Sequence, residues 1–373
     1  MNNYIKNYFN ENIFPIGLGM SKIGSKKFHS KKHIEDRLDV INYFSNYGKI
    51  FLDTAALYGG GFSESIIGDF IKNRRDKFFI ATKFFPNEIS NNEFMINEIM
   101  GSLKRLKTDH IDLLQVHWPN YFFDPAKLAT FLRFLKERKV IKYLGVCNYL
   151  NKEINELNNE LGNEVIFSNQ IEFNLSTCKL INKNDISQNK YLNIAYSILN
   201  NGLFSTKEEQ RIYLKYLANK YSCSSAAIIL SWILSYKNIL PLVKVSSIER
   251  AKDLLKGKEI ILDNKELEIL ESFSEDPFIE IDSSIISLTD DKYRKSYKTI
   301  QEAYDNKLDL IPSPLSLSKR FQNEKNIIPI RVFKDKDNIY HIDKYDPIGQ
   351  SKIYWSWKLA FPERKIPVIV INK

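Results

Sequence analysis

Four residues of four titratable types stand close together in the first third of the chain. Asp53 and Tyr58 share the segment DTAALYGGG, Lys83 lies in IATKF, and His117 lies in LLQVHWP. A phenol with an ordinary pKa of about 10 is a poor acid at neutral pH. A neighbouring ammonium stabilises the phenolate and lowers that pKa, and a carboxylate beside the ammonium keeps it charged and oriented. A histidine next to the phenol can orient a carbonyl oxygen or relay a proton. Such a set polarises a carbonyl and protonates the alkoxide left when a hydride arrives. Taken singly, each residue has a plainer reading: Asp53 as a helix N-cap, Tyr58 as packing, Lys83 as a surface cation, His117 as a satisfied core histidine. Their recurrence at the ends of successive apolar runs points to a site.

Those runs are the elements that would position the four. Compact apolar segments predict strands at Phe14–Met20, Lys49–Asp53, Phe78–Lys83, Ile111–His117, Ile141–Cys147, Val165–Ile171, Leu192–Tyr196 and Leu240–Val245. Between them, apolar residues at three- and four-residue spacing predict helices over Glu35–Asn46, Ser63–Asn73, Asn91–Leu106, Pro125–Arg138, Asn151–Leu161, Glu208–Tyr221, Ser224–Tyr236 and Ser247–Leu255. Strands alternating with helices mean a parallel barrel or a doubly wound sheet. The strand count favours the barrel. So does the lack of a dinucleotide-binding glycine fingerprint, because Gly17 and Gly19 are followed by Gly24 at the wrong spacing. The expected fold is α/β, a (β/α)8 TIM barrel over residues 1–276, with strand C-terminal ends, and hence Asp53, Lys83 and His117, on one rim.

After Asp276 the rhythm changes. Residues 277–325 are charged and read as irregular, with a Pro-rich turn at Ile311–Pro314. Strands are predicted at Ile327–Phe333 and Ile339–Ile342, a helix at Lys352–Leu359 and a closing strand at Pro367–Ile371. Residues 277–373 therefore read as a small α+β appendage.

Bulk properties narrow the function classes. A length of 373 residues suits one barrel plus an addition, and a hydrophobic fraction of 43% supports a large core. The formal charge of +9 is spread along a lysine-rich chain, with no basic tail and no clustered cations interleaved with aromatics. This argues against a nucleic-acid partner. Cys147, Cys178 and Cys223 are too few and too scattered for a disulfide framework or a four-cysteine zinc site, and no metal is expected. Neither a signal-peptide core nor a membrane-spanning run is apparent, so no membrane partner is expected and the cytoplasm is the expected location.

The blocks FPIGLGMS, FLDTAALYGGGFSESIIGDFI, FFIATKF, SLKRLKTDHIDLLQVHWPN, YLGVCNYL, SNQIEFN, IAYSILNNGL and VKVSSIER follow one another in a familiar order. From about Phe14 to about Phe273 the chain resembles the aldo-keto reductase superfamily. The resemblance implies a catalytic tetrad of Asp53, Tyr58, Lys83 and His117, with Tyr58 the general acid. It implies a nicotinamide cofactor at the barrel mouth, its carboxamide bonded by Asn148 and Gln170 and its ring stacked on Tyr196. Lys244 and Arg250 fall where the family grips an adenosine 2′-phosphate, so NADP is preferred, with NAD the alternative. There are departures: Cys147 stands where a serine is common, as does Val245, and Leu254 stands where an asparagine is common. Met20 and Ser21 replace a tryptophan at the substrate mouth, and Trp118 is expected to line the pocket. The loops Tyr121–Pro125, Ser176–Gln188 and Asn200–Lys207 would carry specificity.

The implied function is an NADP-dependent oxidoreductase that reduces an aldehyde, ketone or keto-sugar to an alcohol, its partner being that small carbonyl compound; no oligomeric state is read from the sequence. The other reading is a cofactor-sensing regulatory or binding subunit with little turnover. The C-terminal end faintly resembles the ParB-like or sulfiredoxin-like fold through Gly349 and Ile366–Val368. Ser351 and Lys352 occupy the histidine and arginine positions of that motif.

Overall fold

The computed structural model describes residues 9, 11–21, 23, 30–86, 92–119, 124–149, 151–175, 190–200, 208–272, 278–288, 297–308, 313–323, 330–342 and 347–370. The chain divides into two compact units, Met1–Phe273 and Ser274–Lys373.

In the first unit eight parallel strands close into a barrel in sequence order. They are β1 (Gly17–Gly19), β2 (Ile50–Asp53), β3 (Phe78–Phe84), β4 (Ile111–Val116), β5 (Ile141–Cys147), β6 (Ser168–Glu172), β7 (Leu192–Tyr196) and β8 (Ile239–Val243). The strands are apolar nearly throughout because both faces are covered. In β3, Phe78 and Ile80 join the layer under the helices, whereas Phe79 and Ala81 fill the lumen. Phe9 closes the lumen floor against Phe79 and Phe167, with ring centroids 4.9 and 5.2 Å away.

Side chains alternate, so each lumen position repeats every second residue. Above the apolar layer of Phe51, Ala81 and Leu113, the next inward positions on β2, β3 and β4 are Asp53, Lys83 and Gln115. Register pairs Lys83 with Gln115, Gln115 with Gly145, and Cys147 with Gln170. A polar layer thus lies on an apolar floor, at the strand ends.

The covering helices are α1 (Lys31–Phe44), α2 (Phe62–Ile71), α3 (Asn92–Leu106), α4 (Pro125–Glu137), α5 (Asn151–Leu161), α6 (Glu208–Lys220), α7 (Ser225–Leu234), α8 (Ile248–Lys256) and α9 (Asn264–Ser272). Helix α1 starts four residues ahead of the expected Glu35 because Ser30 accepts from His33 N and caps it. Asp124 caps α4, whose first residue is Pro125. Helix α9 is not among the helices that apolar spacing predicts. It opens on a reciprocal capping pair, Glu266 N to Asp263 Oδ1 at 2.8 Å and Asp263 N to Glu266 Oε2 at 2.9 Å. Strand β6 begins at Ser168 rather than Val165, which is 62% exposed.

The second unit holds β9 (Phe278–Ile281), β10 (Ile286–Ser287), α10 (Ile300–Tyr304), α11 (Pro314–Asn323), β11 (Ile330–Lys334), β12 (Tyr340–Ile342), α12 (Pro347–Ala360) and β13 (Ile366–Val370). Its sheet has the order β10-β12-β11-β13-β9. Residues 277–325 are therefore not irregular throughout. Strand β9 pairs antiparallel with β13, and α10 and α11 follow. Strand β9 and helix α10 are too short for periodicity to reveal. Val332 and Val368 from the sheet pack with Tyr297, Phe321 and Trp357 into a separate core. Helix α12 starts five residues before the expected Lys352, and Ser351 is buried in it.

Candidate active site

Lys83 reaches the top of the lumen from β3 with its side chain wholly buried. Its Nζ donates to Asp53 Oδ2 at 2.6 Å, to the Thr54 carbonyl at 2.9 Å and to Tyr58 Oη at 3.3 Å. An ammonium has three protons, and these three acceptors use all of them. Burial by itself would push the Lys83 pKa down. The Asp53 carboxylate, followed by Tyr58, outweighs that and the net shift is upward, so Lys83 is a charged group.

Tyr58 sits on the turn after β2. Its N–H donates to the Ala55 carbonyl at 3.0 Å and its carbonyl accepts from Ser63 N at 3.2 Å. The following Gly59, Gly60 and Gly61 have φ of 63°, 64° and 89°, a region costly for side-chain-bearing residues. A Cβ on Gly61 would also lie 2.5 Å from Arg105 Cδ. Just beyond, the buried Glu64 carboxylate accepts from Thr82 Oγ1 at 2.6 Å and Arg105 Nε at 2.7 Å. This anchor ties α2 to β3 and α3, and so fixes the far end of the Tyr58 turn. Neither Glu64 nor Arg105 is among the residues the sequence motifs single out.

The electrostatics of Tyr58 differ from the expectation. Burial is the largest influence and raises the phenol above its ordinary value. Lys83 lowers it, as expected, but Asp53 raises it again. Tyr58 is therefore fully protonated at neutral pH.

His117 follows β4, and its N–H donates to the Phe84 carbonyl at 2.8 Å. The ring stacks on Trp118 at 3.9 Å and 18° and meets the Tyr58 ring edge-on at 5.8 Å. Burial, and secondarily the Lys83 charge, push its pKa down to about 3, so the imidazole is neutral. His117 Nδ1 is buried with no hydrogen-bond partner among the described residues. Trp118 is 46% exposed.

Gln170 lies at the polar layer with its amide nitrogen turned to its neighbours in that layer. Its Nε2 donates to Asp53 Oδ1 at 2.7 Å and to Gln115 Oε1 at 3.4 Å. Asn148 has a left-handed backbone (φ 59°), and its Oδ1 accepts from Tyr196 Oη at 3.1 Å. Asn169 braces the same turn through Tyr149, donating to its carbonyl at 2.8 Å. Cys147 is buried and its thiol faces Gln115 Oε1 at 3.8 Å. Burial raises the thiol pKa, which marks it as unreactive.

Lys244 and Arg250 flank the end of β8. The Lys244 side chain passes over Gly19, where a Cβ would meet its Cε and Cγ at 3.5 Å. Arg250 Nη1 donates to Ser246 Oγ at 2.9 Å, and Ser247 caps α8. Two cations, two hydroxyls and a helix N-terminus form a donor set that fits an anionic phosphate. At the other end, an aromatic ring and two carboxamides at the lumen edge fit an amide-bearing aromatic ring. Leu254 and Val245 are buried in the core. Met20 is not at the mouth, because its side chain packs in the core at 3% exposure, whereas Ser21 is half-buried. Most of the three expected specificity loops, and Cys178, lie outside the described residues. Among the described residues no cluster of acidic, histidine or cysteine side chains is placed to hold a metal, and no helix is long and apolar enough to cross a membrane.

The sequence profile of the Aldo/keto reductase family matches residues 15–275. The chain is 26% identical over 234 residues to methylglyoxal reductase YeaE of Escherichia coli, covering 60% of this chain and 79% of that protein. It is 34% identical over 143 residues to aldo-keto reductase YhdN of Bacillus subtilis, covering 36% of this chain and 43% of that protein. Among solved structures, the thermostable aldo-keto reductase Tm1743 in complex with epalrestat superposes with a TM-score of 0.63 at 27% identity, over 69% of this chain and 94% of that one. A Klebsiella pneumoniae aldo/keto reductase in complex with NADP and acetate gives 0.61 at 22% identity, over 70% and 91%.

Proposed function

The chain belongs to the aldo/keto reductase family and is a nicotinamide-dependent oxidoreductase, and on that premise we propose that it reduces an aldehyde, ketone or keto-sugar to the alcohol with NADPH, Tyr58 donating the proton. The observation that carries this reading is the buried Lys83 ammonium, which spends one of its three hydrogen bonds on Tyr58 Oη, 3.3 Å away.

When bound, the reduced nicotinamide supplies the hydride. The remaining work falls to the chain. Tyr58 holds its proton at Oη until the carbonyl oxygen becomes an alkoxide. Lys83 then stabilises the phenolate left behind, with Asp53 keeping Lys83 charged and aimed. Neutral His117 offers a hydrogen bond to the same carbonyl oxygen and so fixes its position. Tyr196 offers a flat face for the ring, and Asn148 its amide for the carboxamide. Because the Gln170 nitrogen is turned to Asp53, its carbonyl oxygen is the atom left to accept from a carboxamide N–H. Lys244 and Arg250 hold the adenosine 2′-phosphate, which makes NADP the preferred cofactor and NAD the weaker alternative. The Klebsiella pneumoniae neighbour bound to NADP and the relatives named as methylglyoxal reductases, from Escherichia coli and Yersinia pestis, support this reading and make α-oxoaldehydes the first substrates to try.

The test is NADPH oxidation by the full chain with a panel of aldehydes, ketones and keto-sugars that includes methylglyoxal. Turnover is expected with NADPH and slower turnover with NADH. The second unit, Ser274–Lys373, favours one other reading, a cofactor-sensing subunit. Tight NADPH binding without oxidation by any of the panel would favour that reading.

A further inference from the structure

Gln115 is a polar residue in the interior of a buried strand and is itself 0% exposed. It stands two residues before His117 and so on the same inward face of β4. Its side chain lies across β5, where the residue in register is Gly145. A Cβ on Gly145 would fall 3.0 Å from Gln115 Cγ and 2.7 Å from Ser168 Oγ, so the glycine makes the room that Gln115 fills. From there Gln115 Nε2 donates to Asp53 Oδ1 at 3.3 Å, while Gln115 Oε1 faces Gln170 Nε2 at 3.4 Å and the Cys147 thiol at 3.8 Å. A buried amide left unpaired is costly, and here each end has an acceptor or a donor.

We infer that Gln115 is a positioning residue for proton transfer: it clamps the Asp53 carboxylate and the Gln170 amide together, so that Asp53 Oδ2 is held on Lys83 and the Gln170 carbonyl is held toward the cofactor. The two amides bind Oδ1 from β4 and β6, which leaves the carboxylate one orientation in which its other oxygen meets Lys83 Nζ. Without Gln115, Asp53 Oδ1 keeps only its bond from Gln170 while Oδ2 keeps Lys83, and the Gln170 amide keeps Asp53 as its one acceptor of the two, so both groups are held less firmly. The inference rests on the proton-donor reading of Tyr58.

Two substitutions in the full chain test it, each assayed for NADPH oxidation with methylglyoxal or the best carbonyl found. Gln115→Met keeps the volume and removes both bonds. Gln115→Glu, when its carboxyl is protonated, keeps an O–H for Asp53 and a C=O for Gln170. The titratable groups around it are Asp53 from β2, Lys83 in register on β3, Cys147 from β5 and His117 two residues further along its own chain segment. Burial and Asp53 favour the protonated form and Lys83 opposes it. Gln115→Met should lower kcat about tenfold, the ordinary scale for losing a hydrogen bond to a charged group, with the KM for NADPH changed less than about twofold. Gln115→Glu should recover most of that kcat in mildly acidic buffer and lose it again, with a one-proton dependence, as pH rises. Packing alone predicts the reverse order, because methionine fits an apolar slot and a carboxyl does not. If Gln115→Met matches the unsubstituted protein, or if Gln115→Glu is the poorer enzyme at every pH, the inference is overturned while the proposed function stands. If the unsubstituted protein oxidises no NADPH with any carbonyl, both fall together. Should Gln115→Met fail to fold, the acid-side recovery of Gln115→Glu still decides the matter against the unsubstituted enzyme.

Discussion

Lys83 Nζ lies 2.6 Å from Asp53 Oδ2, with the two side chains 0% and 4% exposed. A pair so placed contributes little net stability, but each partner depends on the other. Removing one leaves a buried charge uncompensated, at about 3–5 kcal/mol, whereas replacing both with apolar groups is often neutral. Lys83→Met should therefore lower the urea midpoint more than the double variant Lys83→Met with Asp53→Leu. Both variants should lack turnover. A single variant as stable as the unsubstituted protein would contradict the ion pair.

The cationic pair past β8 makes a prediction about cofactor choice. Arg250→Ala removes a guanidinium from the α8 start, and Lys244→Ala removes the ammonium beside Gly19. Each should raise the KM for NADPH roughly ten- to a hundredfold, the scale of a charged hydrogen bond. The KM for NADH, which lacks the 2′-phosphate, should change much less. Equal losses for the two cofactors would show that these residues do not read the phosphate.

The buried neutral imidazole predicts a pH dependence of stability. His117 is pushed from its ordinary 6.5 down to about 3. In the unfolded chain it takes up a proton near pH 6.5 and in the folded chain it does not. Its contribution to stability is thus fully present above pH 6.5 and is lost as pH falls toward 3. Between pH 6.5 and 5 the melting temperature of the unsubstituted protein should fall more steeply than that of His117→Gln. Parallel curves would mean that the ring is protonated in the folded state.

The barrel was legible because its strands are covered on both faces and so read as unbroken apolar runs, and because capping residues such as Asp124 punctuate the helices. Asp53, Lys83 and His117 were legible for a related reason, since polar residues at the ends of apolar runs must face the rim. Gln115 was hidden by its position inside a run, although its two-residue spacing from His117 was the available signal. The bond from Gln170 to Asp53 could not be read, because the distance between β2 and β6 across a closed lumen is not encoded in either segment. Met20 looked like a rim residue because it follows the β1 glycines, but its side chain falls on the outward face and enters the core. The dominance of burial over Lys83 at Tyr58 needed the enclosed volume around the ring, which no motif specifies. In the second unit, β9 and α10 have four and five residues, too short to show a period.

Tyr58→Phe tests the account most directly, because it removes one oxygen and leaves the ring, the turn and the Lys83–Asp53 pair in place. NADPH should bind with near-unchanged affinity by fluorescence titration, while turnover with the best carbonyl should fall by about 10²–10⁴-fold, the range general acid catalysis supplies. A Tyr58→Phe protein that oxidises NADPH at the unsubstituted rate would show that the proton comes from elsewhere.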